Sequence, residues 1–157
     1  MIMILMDRLD IAILKFLSVN GRMHSTDLAK KLDVATSTIH KRIKSLEADG
    51  IIEKFTIIAD PAKVDLNITT FIGINIDSSR RVNIINKLKN IEDVLEIYEL
   101  LEPYDLLIKV RTFDINSLKN NVLRILNEME GVLGSSSLIT TKRHKEEISN
   151  ILIKERK

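Results

Sequence analysis

The hydrophobic period of this chain changes once, at Gly50, and that change limits what it can fold into. Before Gly50 the apolar residues recur at helical spacing; after it they crowd into short β-branched runs. Asp7 can cap a first helix, with Asp10 three residues on, near the N-terminal end of the helix dipole. Leu9, Ile13, Phe16 and Leu17 repeat on one face until Asn20-Gly21 stops the run. A second start lies at Ser25, with Asp27 in the first turn and Leu28, Ala29 and Leu32 facing inward. After the short break Asp33-Val34-Ala35, a third helix is predicted from Thr36 to Asp49, burying Ile39, Ile43 and Leu46. Gly50 supplies its left-handed terminator.

Beyond Gly50, the run Ile51 to Ile58 reads as a strand ended by Asp60-Pro61, with Pro61 to Leu66 as a linker. Strands are then predicted at Thr69–Asp77, Val94–Leu101, Leu106–Arg111 and Ser136–Thr141. Two helices fall between them. One is capped at Ser78-Ser79 and carries Val82, Ile85 and Leu88; the other is capped by Asp114, carries Leu118, Val122 and Leu126, and ends at Gly131. The order β-α-β-β-α-β is that of a ferredoxin-like domain, a four-stranded antiparallel sheet with both helices on one face. Ile and Leu fall on both sides of these strands, which predicts that the open face is buried against a second sheet in a dimer or higher oligomer. The fold class expected is α+β: three helices at residues 1–52, a linking strand and linker at 53–67, and a ferredoxin-like domain at 68–157 with a charged tail, helical in part, from Lys142.

Composition removes several function classes. The chain has no Cys, so it has no disulfide, thiolate metal site or cysteine nucleophile. His24, His40 and His144 are too scattered in sequence to suggest a zinc site. There is no glycine-rich phosphate loop and no nucleophile–base pair at a recognisable spacing, so no enzyme and no cofactor is expected. The apolar start Met1–Leu5 is interrupted by Asp7, Arg8 and Asp10, and no run approaches the roughly 18 apolar residues of a membrane span. A cytoplasmic protein with no membrane partner is expected. Net charge is only +2; residues 1–55 hold nine Lys and Arg against seven acids, and residues 56–157 fifteen of each. Nucleic-acid binding therefore has to be local.

One local feature meets that requirement. The break between the second and third helices lets them cross steeply around Leu28, Ala29, Leu32, Val34, Ile39 and Ile43, making a helix-turn-helix. The arc of the third helix opposite its apolar stripe carries Ser37, Thr38, His40, Lys41 and Lys44. Short donors near the helix start can reach base edges and basic side chains further on can hold phosphates. A basic helix face is also the ordinary outside of a solvated helix, and His40 fits either role. Arg42 lies at the edge of the buried face, where an ion pair, to Glu47 or Asp49, is expected rather than base reading.

The ordered set Leu9-Asp10-x-x-Ile13-Leu14, Asn20-Gly21-Arg22, Asp27-Leu28-Ala29, then Ser37-Thr38-Ile39-x-x-Arg42-Ile43-Lys44-x-Leu46-Glu47-x-x-Gly50-Ile51-Ile52, resembles the leucine-responsive regulator / AsnC (Lrp/AsnC) family. The resemblance continues through Asp60-Pro61, Tyr104-Asp105 and Gly131-Val132. It implies a prokaryotic transcription regulator that binds double-stranded DNA through Thr36, Ser37, Thr38, His40, Lys41 and Lys44. It also implies homodimers that assemble into tetramers, octamers or larger, with Ile51–Ile58 pairing across subunits. An amino-acid effector would bind between dimers near Leu101, Glu102, Tyr104 and Asp105.

Two departures stand out. Ala35 replaces the family's usual Ser at the start of the third helix, so that cap moves to Thr36 or is lost. Glu102 stands where the family usually has Gly, and it would either block an apolar effector or pair with the amine of a different, basic one; Pro103 can also simply set the shape of the turn. The alternative function is a small-molecule-binding oligomer whose helix-turn-helix is vestigial.

Overall fold

The computed structural model describes residues 6–146, so Met1–Leu5 and most of the charged tail lie outside the described residues. The chain divides into two compact units between Ile58 and Ala59. The first holds α1 (Arg8–Val19), α2 (Ser25–Leu32) and α3 (Thr36–Ala48). Asp7 caps α1 in a reciprocal box, its carboxylate accepting from the Asp10 N–H while the Asp10 carboxylate accepts from the Asp7 N–H. Six residues, Ile13, Leu14, Leu28, Ala29, Ile39 and Leu46, are buried at the centre of this unit. Gly50, at φ +69°, turns the chain back so that the Ile51 and Ile52 N–H groups both donate to the Leu46 carbonyl. Ile51 and Ile52 pack on the helical core rather than beginning a strand.

Within the single chain, Ile51–Ile58 forms no strand among the described residues, and the expected pairing of this segment is with a second subunit. Phe55, Ile57 and Ile58 are exposed, and among the described residues no neighbouring strand supplies the ladder hydrogen bonds an extended segment needs. The linker beyond contains a short 3₁₀ turn, Pro61–Val64, capped by Asp60.

The second unit contains β1 (Ile68–Ile76), α4 (Arg81–Lys89), β2 (Val94–Glu99), β3 (Leu106–Thr112), a last helix α5 and β4 (Val132–Ile139). Helix α5 is built of three stretches, Ile115–Ser117, the π-helical Leu118–Leu123 and Arg124–Glu128. The four strands form one antiparallel sheet in the order β2-β3-β1-β4, the ferredoxin-like arrangement. Strand β4 begins directly after Gly131 (φ +95°), earlier than the expected Ser136. Alternation along the strands sends Ile72, Ile74, Ile76, Leu106, Ile108 and Val110 under the helices, where Ile84, Leu88, Leu118, Val122 and Leu126 meet them. This core has twelve buried apolar residues against six in the helical unit. At about 1.5–3 kcal/mol for each large side chain, the helical unit has the smaller reserve and depends more on its polar contacts.

The approach to α4 also differs from expectation: the helix itself has no side-chain cap, and the capping lies in the turn before it. Asp77, not Ser78 or Ser79, is the acceptor: its carboxylate takes the Ser79 N–H and hydroxyl, and a 3₁₀ turn (Ser78–Arg80) leads into the helix. Asp114 caps α5 by accepting the Ser117 N–H at 2.7 Å, as its position implied. The three capping carboxylates share one electrostatic consequence. Each is held below its ordinary value of 3.8: Asp7 first by the Asp10 N–H, Asp77 by the Ser79 hydroxyl, Asp114 by the Ser117 N–H. A depressed carboxylate pKa contributes stability that is present above the unfolded value and lost as pH falls through the folded one. The midpoint of thermal unfolding should therefore fall as pH drops from about 5 to about 3. The Asp7→Asn, Asp77→Asn and Asp114→Asn triple variant should show a shallower fall. An equally steep fall in that variant would assign the acid response elsewhere.

Candidate nucleic-acid interface

Helices α2 and α3 are joined by Asp33–Ala35, with Asp33 in the left-handed region at φ 52° and the Val34 N–H donating to the Ala29 carbonyl. This tight turn brings the inner face of α3 onto α2, burying Ile39 and Leu46. The opposite face of α3 then turns outward. Ser37, His40, Lys41 and Lys44 are exposed and fall on a single arc, with Thr36 and Thr38 half-buried at its edges. All six candidate DNA contacts thus lie on one helix, short polar groups in the first turn and the two lysines beyond.

The sequence did not indicate that Ser25 belongs to the same surface. Its Oγ lies 3.5 Å from His40 Nδ1, so the start of α2 borders the exposed face of α3. A helix start at Ser25 was legible, but its neighbour fifteen residues away was not.

Arg42 is confirmed as an ion-pairing residue on the rim of the buried face, but with other partners than Glu47 or Asp49. Its Nη2 lies 2.7 Å from Asp7 and its Nη1 3.3 Å from Asp10. One guanidinium therefore ties α3 to the capping box of α1. Asp49 instead accepts the Ser45 hydroxyl one turn back on its own helix.

The α3 cap is lost rather than moved. Ala35 occupies the N-cap position and no side chain caps the helix. Ala35→Ser should therefore raise the stability of the helical unit by about 0.5–2 kcal/mol, read from urea unfolding. No gain would mean that the first turn is already satisfied by solvent.

The second candidate site is the turn from Leu101 to Asp105. Leu101 and Glu102 are exposed, while Tyr104 and Asp105 are half-buried. The Asp105 carboxylate accepts the Ile76 N–H at 2.9 Å, its own N–H donates to the Ile74 carbonyl, and its carbonyl accepts the Leu100 N–H. Asp105 therefore anchors the turn to the end of β1. The Tyr104 ring lies over Gly73, where no other residue leaves room for it. Arg81, from α4, reaches Glu99 at 3.3 Å and Asp105 at 4.0 Å. The four turn residues are brought together, and Leu101 and Glu102 face solvent in the single chain. Among the described residues no group of three or more His, Asp and Glu side chains could hold a metal ion. Nor is any described helix long and apolar enough to cross a membrane.

Comparison with known proteins agrees with both halves of the chain. Residues 6–53 match the winged helix-turn-helix DNA-binding model, and residues 69–149 match the Lrp/AsnC ligand binding domain. The HTH-type transcriptional regulator FL11 of Pyrococcus furiosus is 34% identical over 142 residues, 90% of this chain and 93% of that protein. Among solved structures, the transcriptional regulator NMB0573 of Neisseria meningitidis in complex with L-Met superposes with a TM-score of 0.85 at 27% identity. That match covers 92% of this chain and 96% of the other. E. coli AsnC does so with a TM-score of 0.79 at 28% identity, covering 90% and 96%. With a DNA-binding helix-turn-helix and a ligand-binding domain in the same order and over nearly the same length as these regulators, the chain belongs to the Lrp/AsnC family of transcriptional regulators.

Proposed function

We propose that this regulator reads duplex DNA with Thr36, Ser37, Thr38, His40, Lys41 and Lys44, and does so as a cytoplasmic homodimer. The observation that carries the reading is the single exposed arc on α3, polar at its start and basic beyond, on a helix-turn-helix. Two such units related by a two-fold axis meet successive major grooves, so the operator is a pseudo-palindrome.

Dimerisation is supported by the sheet face turned away from the helices. Tyr98, Leu107 and Gly73 form one cross-strand row there, and Glu96, Lys109, Phe71 and Leu138 the next. Tyr98 and Leu138 are more than half exposed, on a face apolar enough to bury in a second copy. Phe55, Ile57 and Ile58 are exposed as well, and a strand from the partner subunit would satisfy their backbone.

An amino-acid effector is assigned to the turn Leu101, Glu102, Tyr104 and Asp105. Because Leu101 and Glu102 face solvent, a neighbouring dimer supplies the other wall, and effector binding shifts which assembly is favoured. NMB0573 was crystallised with L-Met. Here Glu102 at the rim favours an effector with a cationic side chain, since an apolar one would bury that carboxylate unpaired.

The test is fluorescence anisotropy of the full chain on a duplex selected by it from a random pool, against a shuffled duplex. Lys41→Ala and Lys44→Ala should each weaken binding, and each should lower the slope of log K against log salt by about two per dimer, one for each subunit, if the lysine meets phosphate. Unchanged affinity in both variants removes the face assignment. Amino acids titrated into the same assay, lysine and arginine first, test the effector; binding of amino acids with no duplex preference would favour the oligomer with a vestigial helix-turn-helix.

A further inference from the structure

We propose that the DNA contact extends beyond α3 onto a basic margin formed by Arg22 and Lys30, which hold phosphates of the strand bordering the groove. The inference rests on the DNA-reading role of α3 and adds two contacts that the sequence pattern does not indicate.

The placement of Lys30 is the starting point. On one side it lines an open hollow of about 800 Å³ with Thr26, Ala35 and Thr36, at the start of the reading helix. On the other it lines a second hollow of about 410 Å³ with Arg22, His24 and Lys31, at the turn between α1 and α2. Lys30 is thus the shared wall between the first turn of α3 and the Arg22 turn. The contact between Ser25 and His40 fixes the near edge of this margin beside the exposed arc of α3. In helix-turn-helix docking, the helix ahead of the reading helix crosses the phosphate backbone, and here that helix is α2.

Charge favours the same occupant. The smaller hollow carries three cations, Arg22, Lys30 and Lys31, against one carboxylate, Asp27; Asp33 is the acid of the larger one. Lys31 is already engaged, its Nζ 5.7 Å from the centre of the Phe16 ring. Arg22 and Lys30 are exposed, and their side chains make no hydrogen bond or ion pair with the described residues. Only the backbone N–H of Arg22 is used, donating to Asn20 Oδ1 and shaping the turn. Two cations with no partner among the described residues, continuous with a polar reading face, match an extended polyanion. Because they meet phosphate and not base edges, they strengthen binding to any duplex.

The experiment uses the full chain with the selected and shuffled duplexes, from about 50 to about 300 mM salt, a range over which phosphate contacts are strongly screened. The Arg22→Gln, Lys30→Gln double variant should bind both duplexes about tenfold or more weakly at the lower salt, by the same factor. Its salt slope should fall by about 3.6 per dimer, at about 0.9 for each of the four phosphates released, two by each subunit. The charge-preserving Arg22→Lys, Lys30→Arg variant should keep the wild-type slope. Unchanged slope and affinity in the Gln variant, while Lys41→Ala and Lys44→Ala still weaken binding, would overturn the margin and leave the α3 reading intact. A loss confined to the selected duplex would also overturn it, by showing base recognition. If neither the Gln variant nor the α3 lysine variants change binding, the α3 reading fails and this extension fails with it.

Discussion

Arg42→Met is expected to destabilise the helical unit by about 1–3 kcal/mol, the cost of leaving a nearly buried carboxylate without its partner. The cost comes chiefly from Asp10, whose side chain is only 11% exposed and which faces Nη1 at 3.3 Å. The shorter contact, 2.7 Å to Asp7, adds less because both of those groups are well exposed to solvent. After the substitution Asp10 keeps the Asp7 N–H but no cation. With only six residues at the centre of this unit, such a loss is large relative to what the core supplies. Urea unfolding followed by circular dichroism measures it. Asp10→Asn in the Arg42→Met background should recover part of the loss, since a neutral amide is cheaper to bury than an unpaired charge. The same pair separates this role from base reading. A base-reading Arg42 would lose duplex preference at unchanged stability; a clamp loses stability, and the folded fraction still prefers the selected duplex.

Gly73→Ala should cost the second unit about 1–3 kcal/mol, in the range of overpacking a filled site. A Cβ at position 73 would sit 2.5 Å from Tyr104 Cγ, so the ring has to leave its place over β1. The residue is chosen for space, since its backbone is ordinary strand paired with Leu107 and Ser136. In the Tyr104→Ala background the penalty should vanish, because the added methyl then meets no ring and alanine is less costly than glycine within a strand. A penalty that persists in the double variant would place the strain elsewhere. As Tyr104 stands in the candidate effector turn, Gly73→Ala should also weaken any amino-acid response while leaving duplex binding at saturating protein unchanged.

Where the sequence was informative, the signal was local. The caps at Asp7 and Asp114, the stop at Gly50 and the apolar periods of α1, α2 and α3 depend on residues within a turn or two of each other. The order of strands and helices along the second unit was legible because alternation and turn residues repeat within each short run. The candidate DNA arc was readable for the same reason: once α3 is a helix with Ile39 and Leu46 inside, the exposed positions follow from 3.6 residues per turn.

The segment Ile51–Ile58 shows the limit of that reasoning. Its β-branched composition describes a preference, yet a strand exists only where another strand completes its hydrogen bonds, and none among the described residues does. Ile51 and Ile52 instead find the helical core, because Gly50 turns them onto it. Arg42 makes the same point at the level of a single side chain. Its sequence neighbours Glu47 and Asp49 were the candidates on hand, whereas Asp7 and Asp10 come within reach only when α3 crosses the start of α1. The place of Tyr104 over Gly73, thirty-one positions apart, and of Lys30 between Thr36 and Arg22 are of this kind. By itself the sequence determined the elements, their order and the family, because periodicity, capping and motif spacing are encoded between near neighbours. Only the tertiary structure decided which charges pair, that Ile51 and Ile52 pack on the helical core, and which cations have no partner among the described residues, because those outcomes depend on contacts between residues far apart along the chain.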